Sequence, residues 1–392
     1  MYDVLVVGGG PCGASAAEDL AKAGYSVALL DRPGRIKPCG GAIPPILIRE
    51  FDIPDHLLKA KIVTARMVSP TKRSVDIPIE NGFVGMVDRE EFDEFLRDRA
   101  QDQGVTLYRG TFEKVDRTSG NPVIEYFSHD TKQQEQISAK LIIGADGARS
   151  KVAKAEVPGA EKIPYVIAYH EIINAPENGI NYQGHRCDVI YDGAVSPDFY
   201  GWVFPHGKTV SVGMGTGVSG FDLKKATADL REASGLNECE TIRKEGAPIP
   251  LKPLKKWDND QDVVLAGDAA GVVAPSSGEG IYYAMCSGRQ AAHAVAETLR
   301  ANNPKNLRLA RKHFVKQHGT VFRVLEAMQN AYYKTDSRRE RFVSLCHDVD
   351  VQTMTFDAYM NKKLGKARPL AHLKISFKNL MHLTGLVSEE FT

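Results

Sequence analysis

The sequence predicts a mixed α/β (α+β) protein that combines a nucleotide-binding α/β domain, an inserted antiparallel β-rich domain and a C-terminal helical region. Between Asp3 and Leu30, a strand, a glycine turn, a helix and a second strand follow one another. Apolar and polar residues alternate over several short segments from Val166 to Gly217, which favours an antiparallel sheet. From residue 302 onward the pattern is helical and basic.

Length and composition are those of a soluble globular protein. The 392 residues include 50 Lys and Arg, 49 Asp and Glu, and 43% hydrophobic residues, which excludes a disordered or collagen-like chain. A chain of this length divides into two or three subdomains, each large enough for its own core. No apolar run is long enough for a membrane-spanning helix, so any contact with a bilayer is expected to be peripheral.

The cysteines and the N-terminus predict a cytoplasmic protein. The six cysteines are far apart, without a CxxC pair or a metal-binding spacing: Cys12, Cys39, Cys187, Cys239, Cys286 and Cys346. This pattern favours a reducing compartment and predicts no metal site. The first residues enter an apolar strand directly, without the features of a signal peptide.

Charge is distributed unevenly along the chain. Between Asn302 and Leu386 there are 16 Lys and Arg against 6 Asp and Glu, a local excess of ten positive charges. Since the whole chain has a formal charge of +1, the remainder carries about nine net negative charges. We expect a basic C-terminal module that contacts a membrane surface, and no nucleic-acid partner.

The order of the elements predicts the domain boundaries. The nucleotide-binding domain is predicted from three segments, residues 1–65, 85–155 and 258–301. The β-rich substrate domain is predicted from residues 66–84 and 156–257. The basic helical region is predicted over residues 302–392.

The first chemical motif is a glycine-rich turn, Gly8-Gly9-Gly10-Pro11-Cys12-Gly13. It fits the GxGxxG fingerprint of a Rossmann-like unit, in which Gly8 permits the turn, Gly10 admits a pyrophosphate and Gly13 allows close packing. Asp31 ends the next strand 23 residues after Gly8 and is suited to bind ribose hydroxyls. The other predicted contacts are Pro11, Ala14 and Arg32. This motif by itself fits either FAD or NAD.

Two later segments favour FAD. They are Gly144-Ala145-Asp146-Gly147-Ala148-Arg149-Ser150 and Gly267-Asp268-Ala269-Ala270-Gly271, the latter followed by Gly278-Glu279-Gly280. Both resemble fingerprints of the flavoprotein superfamily of aromatic-hydroxylase (glutathione-reductase) type. The resemblance implies that the chain binds FAD through these segments and Arg89. The implied contacts are Arg89, Asp146, Gly147, Ser150, Gly267, Asp268, Gly278, Gly280 and Ile281.

Two further motifs resemble those of one family within that superfamily, the geranylgeranyl reductases. They are Pro38-Cys39-Gly40-Gly41 and Tyr200-Gly201-Trp202-Val203-Phe204-Pro205. Segments such as Phe342-Val343-Ser344-Leu345-Cys346 and Gln352-Thr353-Met354-Thr355-Phe356-Asp357 are similar to the chlorophyll and bacteriochlorophyll branch. His206 departs from the lysine of many relatives, so no cation is inferred there.

The resemblance implies roles for residues of these two motifs. Gly40 and Gly41 would border the flavin, and Cys39 would lie at the reacting double bond, as proton donor or as an element of shape. The implied substrate-binding residues are Tyr200, Trp202, Phe204 and Pro205. From spacing alone, the aromatic residues also fit the core face of a strand, and Cys39 equally fits an apolar filler. His170 and Glu171 are interpreted as residues of the fold.

The resemblance implies a reductase that saturates three double bonds of a geranylgeranyl chain, with FAD as cofactor and NADPH as a transient donor. Both the free diphosphate and the pigment ester are compatible with the motifs, as are NADPH and ferredoxin as donors. A flavin-dependent monooxygenase or halogenase of the same fold is an alternative, and a non-catalytic prenyl-lipid carrier is another. The expected location is the cytoplasmic face of a photosynthetic membrane, where contact with other pigment-synthesis enzymes stays an open question.

We predict that the C-terminal segment binds anionic membranes. Leu370, Leu373, Phe377 and Leu383 recur at helical spacing, with basic residues on other faces. Each Lys or Arg near an anionic surface contributes about 1 kcal/mol, and salt screens this attraction. The protein should sediment with anionic liposomes at low ionic strength, and deletion from Pro369 onward should weaken sedimentation while FAD stays bound. Equal binding by the truncated chain would contradict this role.

Overall fold

The fold is described from a computed structural model, which covers residues 1–34, 36–80, 82–118, 120–177 and 181–362. The strands are, in chain order, β1 (Tyr2–Val7), β2 (Val27–Asp31), β3 (Ala42–Ile43), β4 (Leu58–Ile62), β5 (Thr64–Val68), β6 (Ser74–Pro78), β7 (Val84–Val87), β8 (Thr106–Asp116), β9 (Val123–Ser128), β10 (Gln134–Gly144), β11 (Tyr165–Asn174), β12 (Arg186–Ile190), β13 (Gly201–His206), β14 (Thr209–Thr216), β15 (Thr241–Pro250) and β16 (Val263–Leu265).

The helices connect and cover these strands. The α-helices are α1 (Pro11–Lys22), α2 (Pro45–Glu50), α3 (Arg89–Asp102), α4 (Lys151–Glu156), α5 (Leu223–Ala233), α6 (Ile281–Ala301), α7 (Leu309–Tyr332), α8 (Asp336–Leu345) and α9 (Val349–Met360). Short 3-10 helices span Asp55–Leu57, Ala160–Lys162, Gly267–Ala270 and Pro304–Arg308. None of the helices among the described residues is both long and apolar enough to cross a membrane.

The first sheet is parallel where the predicted nucleotide-binding unit lies. Its parallel part has the order β8-β2-β1-β10-β16, and β9 pairs antiparallel with the outer parts of β8 and β10. Helices α1, α3 and α6 pack over this sheet and its buried Val, Ile and Leu residues. The carboxyl ends of β1, β2, β10 and β16 therefore meet at one edge, where ligands bind in such sheets.

The second sheet has seven strands in the order β15-β11-β14-β13-β12-β5-β6, and only β12 and β5 run parallel. Residues alternate between its faces. Val203 and Val212 pack on one face with Leu230 of α5, whereas Tyr200 and Trp202 belong to the cluster on the other face. A smaller sheet, β3-β7-β4, is formed by strands that lie between β2 and β8 in the sequence.

The predicted fold class is confirmed: an α/β flavoprotein-type domain carries an antiparallel sheet and C-terminal helices. Strands β5 and β6 join the sheet formed by β11–β15, although about ninety residues separate the two segments in the sequence. The domain boundaries stay a prediction. The amphipathic segment from Pro369 belongs to residues 363–392, which lie outside the described residues.

A buried histidine of α7 faces α6. His318 is 1% exposed, packs against the rings of Phe314 and Tyr283, and neither ring nitrogen has a hydrogen-bond partner among the described residues. Burial, together with the positive charge of Lys362, lowers the pKa of His318 to about 4. The imidazole is therefore neutral in the folded protein well below the pH at which a free histidine is protonated.

We predict that His318 destabilises the protein as the pH falls from about 6.5 towards 4. In that window the unfolded chain binds a proton that the folded chain does not, so the free energy of unfolding falls on acidification, by about 2 kcal/mol at pH 5. His318→Phe should remove this part of the pH dependence. Urea unfolding at pH 7 and pH 5, at one fixed FAD concentration, measures this change in the free energy of unfolding. The exposed His185→Gln variant is the control. An unchanged pH dependence in His318→Phe would contradict the prediction.

Candidate functional site

The glycine turn between β1 and α1 lies at the carboxyl edge of the parallel sheet. Gly8 has φ +105°, and a Cβ there would lie 2.3 Å from the carbonyl oxygen of Ala145. A Cβ on Gly13 would lie 1.8 Å from the carbonyl oxygen of Gly8, so both positions require glycine. Gly10 faces open space and precedes α1, whose N-terminus has no side-chain cap among the described residues. This end of α1, which begins at Pro11 and contains Ala14, fits a pyrophosphate.

Asp31 lies beside this turn, at the end of β2. A Cβ on Gly9 would lie 2.8 Å from the Cβ of Asp31. Arg97 of α3 reaches both groups, with its Nη1 atom 3.2 Å from Asp31 Oδ2 and 3.1 Å from the carbonyl oxygen of Gly9. Burial raises the pKa of the Asp31 carboxyl. Arg32, the next residue, is exposed.

The second fingerprint follows β10 and uses its acidic side chain locally. The Asp146 carboxylate accepts hydrogen bonds from the amide of Lys151, at 2.7 Å, from the amide of Val152, at 3.2 Å, and from the hydroxyl of Ser150. It thereby caps the start of α4. Its backbone lies against the first turn, because a Cβ on Gly8 would be 2.8 Å from Asp146 Cα. Gly147 has φ +85° and faces open space.

The third fingerprint follows β16 and leads into α6. Gly267 has φ +61°, and a Cβ there would lie 3.0 Å from Cys12. Asp268 is 7% exposed and forms an ion pair with Lys37, which the sequence analysis did not identify. Gly280 precedes α6, whose N-terminus also lacks a side-chain cap among the described residues. Both helix N-termini therefore present free amide groups at the same edge.

Arg89 is a buried charge at the start of α3. It is 7% exposed, and its guanidinium binds the Asp93 carboxylate through two hydrogen bonds of 2.7 Å. Arg89 and Cys39 line the same cavity. Since Arg89 and Asp93 are both buried, their ion pair fixes the guanidinium in place at this cavity.

A cavity of about 110 Å³ lies between the edge of the parallel sheet and the face of the antiparallel sheet. It brings together residues from the first and third fingerprints, from the Cys39 turn and from the second sheet, whereas no residue of the second fingerprint lines it. Its walls include Pro11, Lys37, Pro38, Cys39, Gly40, Arg89, Asp268, Gly278, Gly280 and Ile281 on one side, and Ala168, His170, Trp202, Ala247, Pro248 and Ile249 on the other. We call it the cofactor cavity.

A second cavity, of about 270 Å³, lies next to the first, shares part of its wall and is mostly apolar. We call it the apolar cavity. Its apolar wall includes Ile62, Met67, Ile77, Ile79, Val84, Cys187, Tyr200, Trp202 and Phe204. At another part of its wall, Lys362 and Glu279 form a buried ion pair. The two cavities share Cys39, Gly40, Trp202, Ile249, Gly278, Gly280 and Ile281.

A row of residues across four strands places Trp202 at this junction. Trp202, Gly213, His170 and Glu245 are paired side by side on β13, β14, β11 and β15. A Cβ on Gly213 would lie 2.7 Å from the indole and 2.4 Å from His170 Cβ, so the glycine makes room for both rings. The indole N–H donates to the hydroxyl of Ser211 at 3.0 Å, and His170 Nδ1 lies 2.9 Å from the same oxygen.

The turn that carries Cys39 is held by His206. His206 is 8% exposed, its Nε2 donates to the carbonyl oxygen of Gly40 at 3.0 Å, and its Nδ1 lies 3.3 Å from Asp88 Oδ1. The contact with His206 lowers the pKa of the Asp88 carboxyl. Gly41 has φ +68°, and a Cβ there would lie 2.5 Å from the imidazole. His206 is therefore a positioning residue that the sequence analysis did not identify.

The structure brings most of the residues singled out from the sequence to one region. Cys39, Gly40, Arg89, Asp268, Gly278, Gly280, Ile281 and Trp202 line the cofactor cavity, and Gly41, Tyr200 and Phe204 line the apolar one. Pro205 lines neither cavity. Glu171, interpreted as a residue of the fold, lies 2.5 Å from Arg231 in a buried ion pair. His170, interpreted in the same way, lines the cofactor cavity.

The residues present fit a bound FAD. Two helix N-termini and a glycine turn offer backbone amides to phosphates, Asp31 lies where an adenosine ribose would be, and the cofactor cavity offers flat, small-residue walls to an isoalloxazine ring. Among the described residues, no cluster of side chains could hold a metal ion.

Sequence comparisons relate the chain to flavoproteins. Residues 2–178 match the family described as pyridine nucleotide-disulphide oxidoreductase, and residues 216–359 match the family described as lycopene cyclase protein. The chain is 63% identical over 391 residues to a geranylgeranyl diphosphate reductase of Rhodobacter capsulatus, covering 100% of both chains. It is 38% identical to the protein of that name from Synechocystis, covering 96% of each chain.

Solved structures share the fold. A geranylgeranyl bacteriochlorophyll reductase-like protein from Thermoplasma acidophilum superposes with a TM-score of 0.80 at 22% identity, covering 93% of this chain and 97% of that one. A flavin-dependent brominase superposes with a TM-score of 0.76 at 17% identity, covering 96% and 99%. These similarities extend over both sheets.

We predict that His206→Leu loosens the Cys39 turn. Loss of the hydrogen bond to the Gly40 carbonyl leaves a half-buried acceptor without its partner, which should cost about 1 kcal/mol of stability and raise the alkylation rate of Cys39 several-fold. Iodoacetamide labelling followed by peptide mass analysis measures this, with Cys239 as internal control and His206→Gln as the variant that keeps a donor. Unchanged labelling of Cys39 in His206→Leu would contradict the positioning role.

Proposed function

Since this chain belongs to the geranylgeranyl diphosphate reductase family of flavoproteins, we propose that it saturates the geranylgeranyl tail of a bacteriochlorophyll. The tail is saturated in three successive reductions, for which NADPH is the electron donor. The chain is an FAD-dependent oxidoreductase that reduces carbon–carbon double bonds of geranylgeranyl chains. The pigment ester as substrate, the number of reductions and the donor are the parts that we propose.

One observation carries the proposal: the apolar cavity and the cofactor cavity are neighbours that share Cys39, Trp202 and Gly278 in their walls. A polyene tail has no polar group for recognition, so a long apolar cavity is the binding site that it needs. Because Gly278 and its neighbours also line the cofactor cavity, a double bond in the apolar cavity can lie against the flavin at this junction.

When bound, FAD supplies the hydride for each reduction. The chain would hold it through backbone groups at the start of α1 and α6, with Asp31 suited to the ribose and Asp268 in the wall of the cofactor cavity. The Asp268 carboxylate is already paired with Lys37, so its charge is balanced within the site. Arg89 is likewise balanced by Asp93. These pairs give fixed polar contacts without an unpaired charge.

An isolated double bond is a poor hydride acceptor, so alignment and exclusion of water must lower the barrier. Trp202 and Phe204, on the same face of β13, form a flat apolar wall, with ring centroids 6.2 Å apart. Trp202 cannot rotate freely because its N–H is bonded to Ser211 and its ring lies over Gly213. A tail in the apolar cavity would therefore lie between this aromatic wall and Cys39.

Cys39 is the thiol at the junction. It lies in the walls of both cavities, accepts a hydrogen bond from the amide of Gly41 at 3.4 Å and is half-buried. This placement supports its assignment as the group that touches the reacting double bond. It can hold and give a proton to the carbon that does not receive the hydride.

The proposal extends to the membrane. A pigment tail lies in a bilayer, and the basic excess after residue 302 supports a peripheral position on the cytoplasmic face of a photosynthetic membrane. Free geranylgeranyl diphosphate is the other substrate that the names of the relatives support. Contact with other pigment-synthesis enzymes stays outside the proposal.

The function is tested by anaerobic incubation of the reduced protein with geranylgeranyl-bacteriochlorophyll and, separately, with geranylgeranyl diphosphate. Mass analysis should show stepwise gains of two hydrogens up to the phytyl product, with the pigment ester consumed faster. Reduction that occurs only on the diphosphate would overturn the pigment assignment. Product that contains oxygen or halide, formed only in air, would favour the monooxygenase or halogenase alternative.

We predict that Trp202→Ala lowers turnover on the geranylgeranyl substrate about 10²-fold and leaves the FAD content close to one per chain. The change removes the wall that aligns the tail, and misplacement of a reacting group by about 1 Å costs a factor of this size. Trp202→Phe, which keeps an aromatic surface, is the matched control and should retain more activity. Equal loss of flavin and turnover in Trp202→Ala would favour a core role for this residue.

A further inference from the structure

Each saturation consumes a proton as well as a hydride, so the site needs a proton supply from solvent. Two C–H bonds form as one π bond breaks. One carbon takes the hydride with its electron pair, and the other carbon takes a proton with the electron pair of the π bond. Over repeated turnovers, a thiol such as Cys39 must recover a proton each time it gives one away.

The cofactor cavity contains few groups that can exchange protons. Its titratable and charged lining residues are Lys37, Cys39, Arg89, His170 and Asp268. Lys37 and Asp268 neutralise each other, and Arg89 is held by Asp93. Cys39 and His170 are left as lining residues outside these ion pairs, and imidazole is the side chain best suited to proton exchange near neutral pH.

His170 connects the cavity with the rim of the antiparallel sheet. It is 2% exposed, and its Nε2 lies 3.0 Å from Glu245 Oε1. Glu245 is on the edge strand β15, where its other oxygen lies 3.0 Å from Nε of the exposed Arg243. Burial acts to raise the pKa of the Glu245 carboxyl, but the contacts with His170 and Arg243 together lower it.

The opposite ring nitrogen of His170 is also fixed. Nδ1 lies 2.9 Å from Ser211 Oγ, which accepts the N–H of Trp202. The serine hydroxyl can therefore donate to Nδ1. Nε2 is buried and lies close to Glu245 without forming a hydrogen bond to any of the described residues. The ring is thus held through Nδ1, and Nε2 is left available for proton exchange.

We propose that His170 conducts protons into the cofactor cavity, recharged from solvent through Glu245, and restores the proton of Cys39 after each saturation. This inference rests on the proposed reductase function. In each cycle His170 loses one proton to the thiol across the cavity and regains one by way of Glu245. The net consumption is one solvent proton per double bond, and NADPH supplies the hydride.

The test separates the two half-reactions by anaerobic stopped-flow absorbance. His170→Gln should leave flavin reduction by NADPH within about twofold of the wild type and slow reoxidation by the geranylgeranyl substrate about 10²-fold. Glu245→Gln should slow the same step about tenfold. Lys244→Gln, on the same strand but directed to the opposite face, is the matched control and should react as the wild type does.

Two further readouts distinguish proton conduction from support of the fold. The FAD dissociation constant of His170→Gln should stay within about twofold of that of the wild type. Added imidazole should restore reoxidation in His170→Ala.

Unchanged reoxidation in both His170→Gln and Glu245→Gln would overturn the proposal, as would a loss of FAD affinity that matches the loss of rate. Wild-type protein whose reduced flavin is not reoxidised by the isoprenoid would instead overturn the proposed function. A misfolded His170 variant leaves Glu245→Gln as the deciding variant, since Glu245 is half-buried at the sheet edge.

Discussion

The site depends on the contact between the Cys39 turn and strand β13. The turn follows β2 of the parallel sheet, whereas β13 belongs to the antiparallel sheet. The hydrogen bond from His206 of β13 to the Gly40 carbonyl joins the turn to this strand. Close approach is possible because Gly40 and Gly41 lack side chains: a Cβ on Gly40 would lie 3.2 Å from Phe204. The two cavities lie side by side at this contact. The contact that joins the two sheets therefore also places the Cys39 thiol between the cofactor cavity and the apolar cavity.

Charges in and around the cavities are mostly neutralised in pairs. Arg89 is bound by Asp93, Lys37 by Asp268 and Lys362 by Glu279. A single buried charge would cost several kcal/mol, whereas a paired and hydrogen-bonded one is tolerated. Pairing also keeps the apolar cavity free of strong fields that would draw in water. Polar groups can thus hold a dinucleotide next to a cavity for hydrocarbon.

Small residues on the antiparallel sheet provide the space for the chemistry. Gly213 accommodates the indole of Trp202 beside His170, and Ala168 and Ala247 leave the neighbouring wall flat. Larger side chains at these positions would fill the cofactor cavity. The glycine-rich β14 is therefore a surface for close approach.

The sequence by itself determined the βαβ unit, the antiparallel sheet and the cofactor motifs. These depend on local rules, namely hydrophobic periodicity, glycine turns and an acid at a fixed spacing, so Gly8, Gly13 and Asp31 could be identified from their neighbours in the chain. Only the tertiary structure decided which distant residues meet. Lys37 pairs with Asp268 across more than two hundred residues, and strand register alone brings His170 to Glu245. Their side chains carry no local pattern, because their function comes from partners that the chain reaches only after folding.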